Sequence, residues 1–140
     1  MLVVKPSIAV LEKHIKTVLA QHPEVELAIL YGSFAQGKET AQSDIDLAIA
    51  SKRIILTEER VEIAIQISKK LKREVDIVDL NQSNGVLLKE ILTKGKVLLG
   101  DQDSALYFQL LKKHLYFQAD FMPTLNMILK RRRENFIHET

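Results

Sequence analysis

Asp44 and Asp46, two aspartates separated by one residue, are the strongest chemical signal in this chain of 140 residues. They open an apolar run that is typical of a buried strand. Because successive side chains on a strand point to opposite faces, both carboxylates are expected on one face and Ile45 on the other. Two neighbouring carboxylates repel each other and lose hydration unless a cation lies between them. Since magnesium prefers hard oxygen ligands, the pair predicts a magnesium site.

A Gly-Ser pair precedes the aspartates, with ten residues between Ser33 and Asp44. The pair follows the apolar run 25–30, which predicts a strand, and Gly32 permits a sharp exit from that strand. Ser33 is predicted to begin a short helix. Backbone N–H groups at a helix start, together with a hydroxyl, form a site for a phosphate. Gly32 and Ser33 are therefore predicted to hold the phosphates of a nucleoside triphosphate beside the metal.

A third carboxylate is expected, because a centre of two metal ions about 3.5 to 4 Å apart needs more ligands than two side chains supply. Asp76 lies in a β-favouring run between Val75 and Ile77, so its side chain faces away from theirs. It could therefore meet Asp44 and Asp46 across neighbouring strands. The sequence thus proposes three acidic ligands from two separate segments.

The rest of the chain alternates helical and strand patterns. Helices are predicted over 7–21, over 57–71 and over 85–94, with a strand over 96–99 and, from residue 101, one long helix or two broken near Pro123. The buried stripe of the second helix is predicted to consist of Val61, Ala64, Ile65, Ser68 and Leu71. This alternation predicts a layered α/β domain, and the pattern leaves the strand order open.

The composition is that of a globular domain, with 46% hydrophobic and 27% charged residues. One domain is expected over 1–140, with an α/β core over 1–100 and a C-terminal helical extension over 101–140. The absence of cysteine excludes a disulfide framework and a thiolate metal site. No apolar run approaches the roughly 20 residues of a membrane helix, and the first residues do not resemble a signal peptide. A cytoplasmic protein is therefore expected.

Taken together, these residues resemble a known family. Gly32 and Ser33, ten residues, Asp44-x-Asp46, and then Asp76 on a later strand form a pattern similar to the DNA polymerase β nucleotidyltransferase superfamily, in its minimal or MNT branch. The resemblance implies an α/β (α+β) fold, with a mixed sheet like a polymerase palm flanked by helices. Small proteins of this branch are commonly the antitoxin partners of HEPN-domain ribonuclease toxins.

The resemblance also implies a reaction. An antitoxin of this kind transfers AMP from ATP to a tyrosine of its cognate HEPN toxin, with which it forms a hetero-oligomer, and so silences the toxin. Asp44, Asp46 and Asp76 would be the catalytic residues and the ligands of two Mg²⁺ ions. Asp76 is also the candidate general base, and Gly32 and Ser33 would bind the nucleotide phosphates. No membrane association and no direct binding of nucleic acid are expected.

One residue departs from the family pattern, and two other functions remain open. Gln36 stands where many members have arginine, although Lys38 lies nearby in sequence. The first alternative function is nucleotidyl transfer to a small molecule such as an aminoglycoside. The second is an antitoxin that acts by binding alone. The alternative without a catalytic site is a glycine turn and two surface aspartates in an ordinary sheet protein.

Two further patterns lie in the C-terminal segment. The basic run Lys130 to Arg133 is most often a solvated helix end, and its functional interpretation is a contact with the toxin or with RNA bound to it. The aromatic group is predicted to be mostly core rather than a protein-binding face. Its members are Tyr107, Phe108, Tyr116, Phe117 and Phe121.

Overall fold

The computed structural model describes residues 8–101, 104–116 and 121–139 of the chain. The elements that precede the middle of the chain are α1 (Ile8–Leu19), β1 (Leu27–Tyr31), β2 (Ile45–Ala50) and α2 (Thr57–Leu71). They are followed by β3 (Val75–Asp79), a 3-10 turn (Leu80–Gln82), α3 (Gly85–Lys94), β4 (Lys96–Leu99), α4 (Ala105–Tyr116) and α5 (Phe121–Glu139). Apart from the short helix expected at Ser33, the helices and strands predicted within these residues are present, with ends that differ by a few residues at most.

The described strands form one mixed sheet in the order β3-β2-β1-β4. β1 is antiparallel to both β2 and β4, whereas β2 is parallel to β3. A parallel pair needs a crossover, and α2 provides the crossover between β2 and β3. The predicted α/β class is confirmed, and the structure supplies the strand order that the hydrophobic pattern left open.

Strand alternation sorts the apolar side chains into two cores, one on each face of the sheet. Leu30 and Leu47 lie on the face covered by α1 and α2, whereas Ile29 and Ala48 lie on the face covered by α3, α4 and α5. Full burial of an aliphatic side chain contributes about 1.5 to 3 kcal/mol, so each face holds its helices through many such contacts. The sheet is consequently buried on both sides along most of its length.

The buried stripe predicted for α2 is partly wrong. Ile63 and Ile67 are the buried residues of this helix, whereas Val61 and Ile65 are about half exposed, at 50% and 48%. Apolar residues occupy every second position from 61 to 67, a spacing that does not fix the rotation of a helix about its axis. The packing against the sheet selected the 63–67 side over the predicted one.

The C-terminal segment forms two helices, α4 and α5, rather than the single long helix that was the other predicted arrangement. Pro123 lies in the first turn of α5, where the missing N–H of proline is tolerated. Of the aromatic group, Tyr107 is buried in the core, whereas Phe108 is 45% exposed. The structure does not describe the side chains of the other three aromatic residues. Among the described helices, none has the length and apolar character that crossing a bilayer demands.

The basic run of α5 is not uniformly solvated. The guanidinium of Arg131 donates a hydrogen bond of 2.8 Å to the carbonyl of Thr93, at the end of α3. Arg132 lies over the ring of Phe108, 5.5 Å from its centroid. Lys130 and Arg133 are exposed. Half of the run therefore attaches α5 to its neighbours, which the charge pattern alone did not indicate.

Candidate active site

Three side chains form a row across the sheet, at the end where β1 stops and β2 begins. Tyr31 on β1 is the register partner of Asp46 on β2, and Asp46 is in turn the partner of Asp76 on β3. Directly opposed residues of neighbouring strands project from the same face. On β1 and β2 this face is the one that α3 packs against. The structure thus brings Asp76 next to Asp46, although 30 positions separate them in sequence.

Because Gly32 has no side chain, the Asp46 carboxylate can occupy the space next to its backbone. Its φ is +75°, a backbone conformation that residues with a Cβ rarely adopt. A Cβ built at this position would collide with Oδ2 of Asp46. The carboxylate therefore lies directly against the backbone of the Gly-Ser segment, so the two halves of the sequence pattern meet in space.

Ser33 does not begin a helix, contrary to the sequence prediction. Residues 32–37 form a single turn, in which the N–H of Lys38 donates to the carbonyl of Ser33 at 2.9 Å. Gly37 has a φ of +69°, and its N–H donates to the carbonyl of Phe34 at 3.4 Å. This pair of bonds is the pattern by which a left-handed glycine ends a helix. The stop signal comes within one turn of the start, so no helix can extend.

Asp44 lies just before β2 and is exposed. The residue after it, Ile45, donates its N–H to the carbonyl of Glu74 at 2.9 Å. The residue before it, Ser43, accepts a hydrogen bond of 3.0 Å from the guanidinium of Arg73. The residues on both sides of Asp44 are therefore attached to the segment that leads into β3: Ser43 to Arg73, and Ile45 to Glu74.

Negative charge accumulates around Asp46. Burial raises the pKa of the Asp46 carboxyl above its usual value, and the charges of Asp76, Asp44 and Glu90 raise it further. Burial also raises the pKa of the Tyr31 phenol to about 12, with added contributions from Asp46, Asp76 and Glu90. Both shifts have the same physical cause, which is a partly desolvated region that several carboxylates share. Such a region would be stabilised by a bound cation.

The donor set fits a divalent metal ion in its chemistry. Carboxylate oxygens are the ligands that magnesium prefers, and the mutual repulsion around Asp46 is what a dication would relieve. Within the described part of the chain, no three acidic or histidine side chains already stand close enough together to share one ion. Asp44 and Asp76 are exposed, so a change of rotamer at either one would not disturb the core.

Three neighbours of the aspartates were missed by the sequence analysis. Tyr31 could have been found, because it directly precedes Gly32 and its parity on the strand places it opposite Asp46. Glu90 on α3 and Arg73 before β3 gave no such signal. Each reaches the site through packing between segments that are distant in sequence, which periodicity does not encode.

The raised pKa of Asp46 predicts a measurable effect on stability. A raised pKa means that the folded protein binds this proton more tightly than the unfolded chain does, so the ionised carboxylate costs stability at neutral pH. The cost is lost as the pH falls through the raised pKa and is absent below the ordinary value of 3.8. Asp46→Asn should therefore raise the Tm of the metal-free protein at neutral pH, and the difference should shrink as the pH is lowered. Thermal melts in EDTA across this range measure it, and a variant that melts below the wild type at neutral pH contradicts it.

Comparison with known proteins agrees with this geometry. Residues 13–104 match the protein family described as Polymerase beta, Nucleotidyltransferase. The matched range contains the Gly-Ser turn and all three aspartates. The chain is also similar to the protein adenylyltransferase MntA of Shewanella oneidensis, with 32% identity over 110 residues, or 77% of this chain and 79% of the relative.

Solved structures show the same relationship. A toxin-antitoxin structure with AMP-PNP matches with a TM-score of 0.64 and 29% identity, over 91% of this chain and 96% of that chain. A complex of a tri-AMPylated Shewanella oneidensis HEPN toxin with MNT antitoxin matches with a TM-score of 0.61 and 26% identity, over 94% of this chain and 97% of that chain. These matches confirm the fold that the sequence pattern implied. The chain therefore belongs to the polymerase beta family of nucleotidyltransferases, enzymes whose substrate is a nucleotide.

Proposed function

We propose that this protein is an antitoxin that transfers AMP from ATP to a tyrosine of a cognate HEPN ribonuclease toxin and thereby neutralises it. The observation that carries the proposal is the register of Asp46 with Asp76, directly beside Gly32. The acceptor and the partner are supported by the names of the relatives, which are a protein adenylyltransferase and the MNT antitoxin of an AMPylated HEPN toxin.

In this proposal the Gly-Ser turn binds the phosphates of ATP. Gly32 brings the backbone close to the Asp46 carboxylate without a side chain in between. The first N–H groups of a helical turn have no carbonyl partner within the turn, so they point outward and suit an anion. The hydroxyl of Ser33 adds a further donor. Phosphates held here would lie next to the acidic row on β2 and β3.

Asp44, Asp46 and Asp76 would hold two magnesium ions, after rotation of the exposed Asp44 and Asp76 side chains. When bound, the ions would neutralise phosphate charge and make the acceptor hydroxyl more acidic. Asp76 is exposed at the edge strand β3, so an acceptor side chain from another protein can approach it. This position suits the role of general base.

The bond changes in the transfer are simple. The tyrosine oxygen of the acceptor forms a bond to the α-phosphorus of ATP, and the bond from that phosphorus to the pyrophosphate oxygen breaks. Asp76 takes the proton of the tyrosine hydroxyl and later returns it to solvent. Pyrophosphate leaves, and AMP remains attached to the acceptor through a phosphodiester.

The partner also suggests a compartment. An antitoxin must meet its toxin where the toxin cleaves RNA, and we therefore infer that the pair acts in the cytoplasm. The absence of cysteine is compatible with a reducing compartment. Direct binding of nucleic acid is not part of the proposal, since the formal net charge of the chain is only +2.

An experiment with two labels tests the proposed reaction. The purified protein is incubated with the product of the neighbouring gene, magnesium and ATP labelled at either the α- or the γ-phosphate. The expected result is label on a tyrosine of the partner from α-labelled ATP alone, with the added mass of one or several AMP units. Label on a small molecule instead would favour the aminoglycoside-like alternative. A tight complex that silences the toxin without any label would show that the antitoxin acts by binding.

A further inference from the structure

Arg73 gathers three segments that the sequence analysis treated as separate. Its guanidinium Nη1 donates to the carbonyls of Thr40 and Ala41, both at 3.2 Å, and to the carbonyl of Ser43 at 3.0 Å. Charge-assisted hydrogen bonds of this kind are stronger than neutral ones. The loop that enters β2 is thus curled around a single cation, and Arg73 itself lies three positions before Asp76.

The same guanidinium reaches the Gly-Ser turn. Its central carbon lies over the ring of Phe34, 5.1 Å from the centroid, and Phe34 directly follows Ser33. Phe34 is itself buried in the core between the sheet and α1 and α2. An arginine stacked on an aromatic face is favoured in both electrostatics and packing. The buried ring of Phe34 therefore supports the Arg73 side chain while its guanidinium bonds to the loop.

The loop also has hydrogen bonds within itself. Thr40 and Ser43 bond to each other, through the Thr40 N–H to Ser43 Oγ at 2.7 Å and between their hydroxyls at 3.2 Å. These contacts close the loop upon itself but do not attach it to β3. Attachment comes from Arg73 on one side of Asp44 and from the Glu74 carbonyl on the other.

We propose that Arg73 is a positioning residue of the transfer reaction, which fixes Asp44 relative to Asp76 and to the Gly-Ser turn. The proposal rests on the function proposed above. A carboxylate on an exposed loop must be held within a fraction of an ångström to act together with its partners, and a misplacement of 1 Å can cost about a hundredfold in rate. Arg73 supplies this precision from outside the set of acidic residues.

The test compares Arg73→Gln and Arg73→Lys with the wild type. Glutamine removes the cation and the donor fork, whereas lysine keeps a charge but not the planar stacking group. Arg73→Gln should lower kcat about tenfold to a hundredfold, with a smaller change in the KM for ATP, and should raise the Mg²⁺ concentration for half-maximal activity. Arg73→Lys should fall between. Hydrogen exchange of the amides at 40–45 should become faster in Arg73→Gln, with or without metal.

Arg53→Gln is the matched control. Arg53 also donates to a backbone carbonyl, that of Ile54, and pairs with Glu59, but it lies beyond the other end of β2. The control should leave kcat and the exchange at 40–45 unchanged. Equal kcat, magnesium dependence and exchange in Arg73→Gln and the wild type would overturn the proposal. If the wild type itself transferred no AMP, the proposed function would fail, and the exchange comparison would still decide whether Arg73 holds the loop. Arg73→Lys carries the same comparison if Arg73→Gln does not fold.

Discussion

Replacing Asp44 and Asp46 together with alanine should slow AMP transfer at least about a thousandfold and leave the protein folded. The loss is large because metal-assisted charge stabilisation supplies several kcal/mol to the transition state, and each 1.4 kcal/mol is about tenfold in rate. The fold should persist, since Asp44 is exposed and removal of the Asp46 charge relieves repulsion. The measurement is the single-turnover rate of label incorporation into the partner, with Tm recorded in parallel.

The control for this pair is Glu58→Ala with Glu62→Ala. Both glutamates are exposed on α2, which covers the opposite face of the sheet from the acidic row. The two double variants remove the same charge, so any general effect of net charge on ATP binding is equal in both. Undiminished transfer in the aspartate variant, or an equal loss in the glutamate variant, would refute the assignment of the site.

The strand periodicity was enough to predict that Asp46 and Asp76 share one face of the sheet. Asp46 and Ile45 alternate as expected, with Ile45 in the core under α1 and α2 and Asp46 on the other face. Asp76 shares that parity with Asp46 because both strands follow the same two-residue repeat. What the pattern could not supply was the register. Only the packed sheet determines that Asp46 lies opposite Asp76 rather than two residues away.

Other features were beyond the reach of local patterns. Helix rotation in α2 depended on which side fitted the sheet, because alternate apolar positions favour no single face. The helix expected at Ser33 was shortened to one turn by Gly37, a stop signal that could have been recognised in the sequence. The contact of Arg73 with the Asp44 loop joins residues 30 positions or more apart, so no window of sequence contains it.

Gly32→Ala should lower AMP transfer by about a hundredfold, although it alters no charge. The new Cβ would collide with Oδ2 of Asp46, so either the carboxylate or the turn must move. The positive φ of Gly32 adds about 1 to 2 kcal/mol of backbone strain. The measurements are kcat and KM for ATP, together with the free energy of unfolding from denaturant titration.

Gly85→Ala is the control that separates the effect of the collision with Asp46 from the effect of backbone strain at a positive φ. Gly85 has a φ of +61°, but a Cβ there would meet no atom within 4 Å. Gly85 begins α3, which follows the Asp79 end of β3. Asp79 pairs with Ile49, which lies three positions along β2 from Asp46, so this end of β3 is not the end that carries the acidic row. Both variants should therefore lose a similar amount of stability to the backbone, and Gly32→Ala alone should lose transfer beyond what its stability explains. If both variants kept wild-type kcat, the close approach of the Gly-Ser turn to Asp46 would have no part in the reaction, and the phosphate site would have to lie elsewhere.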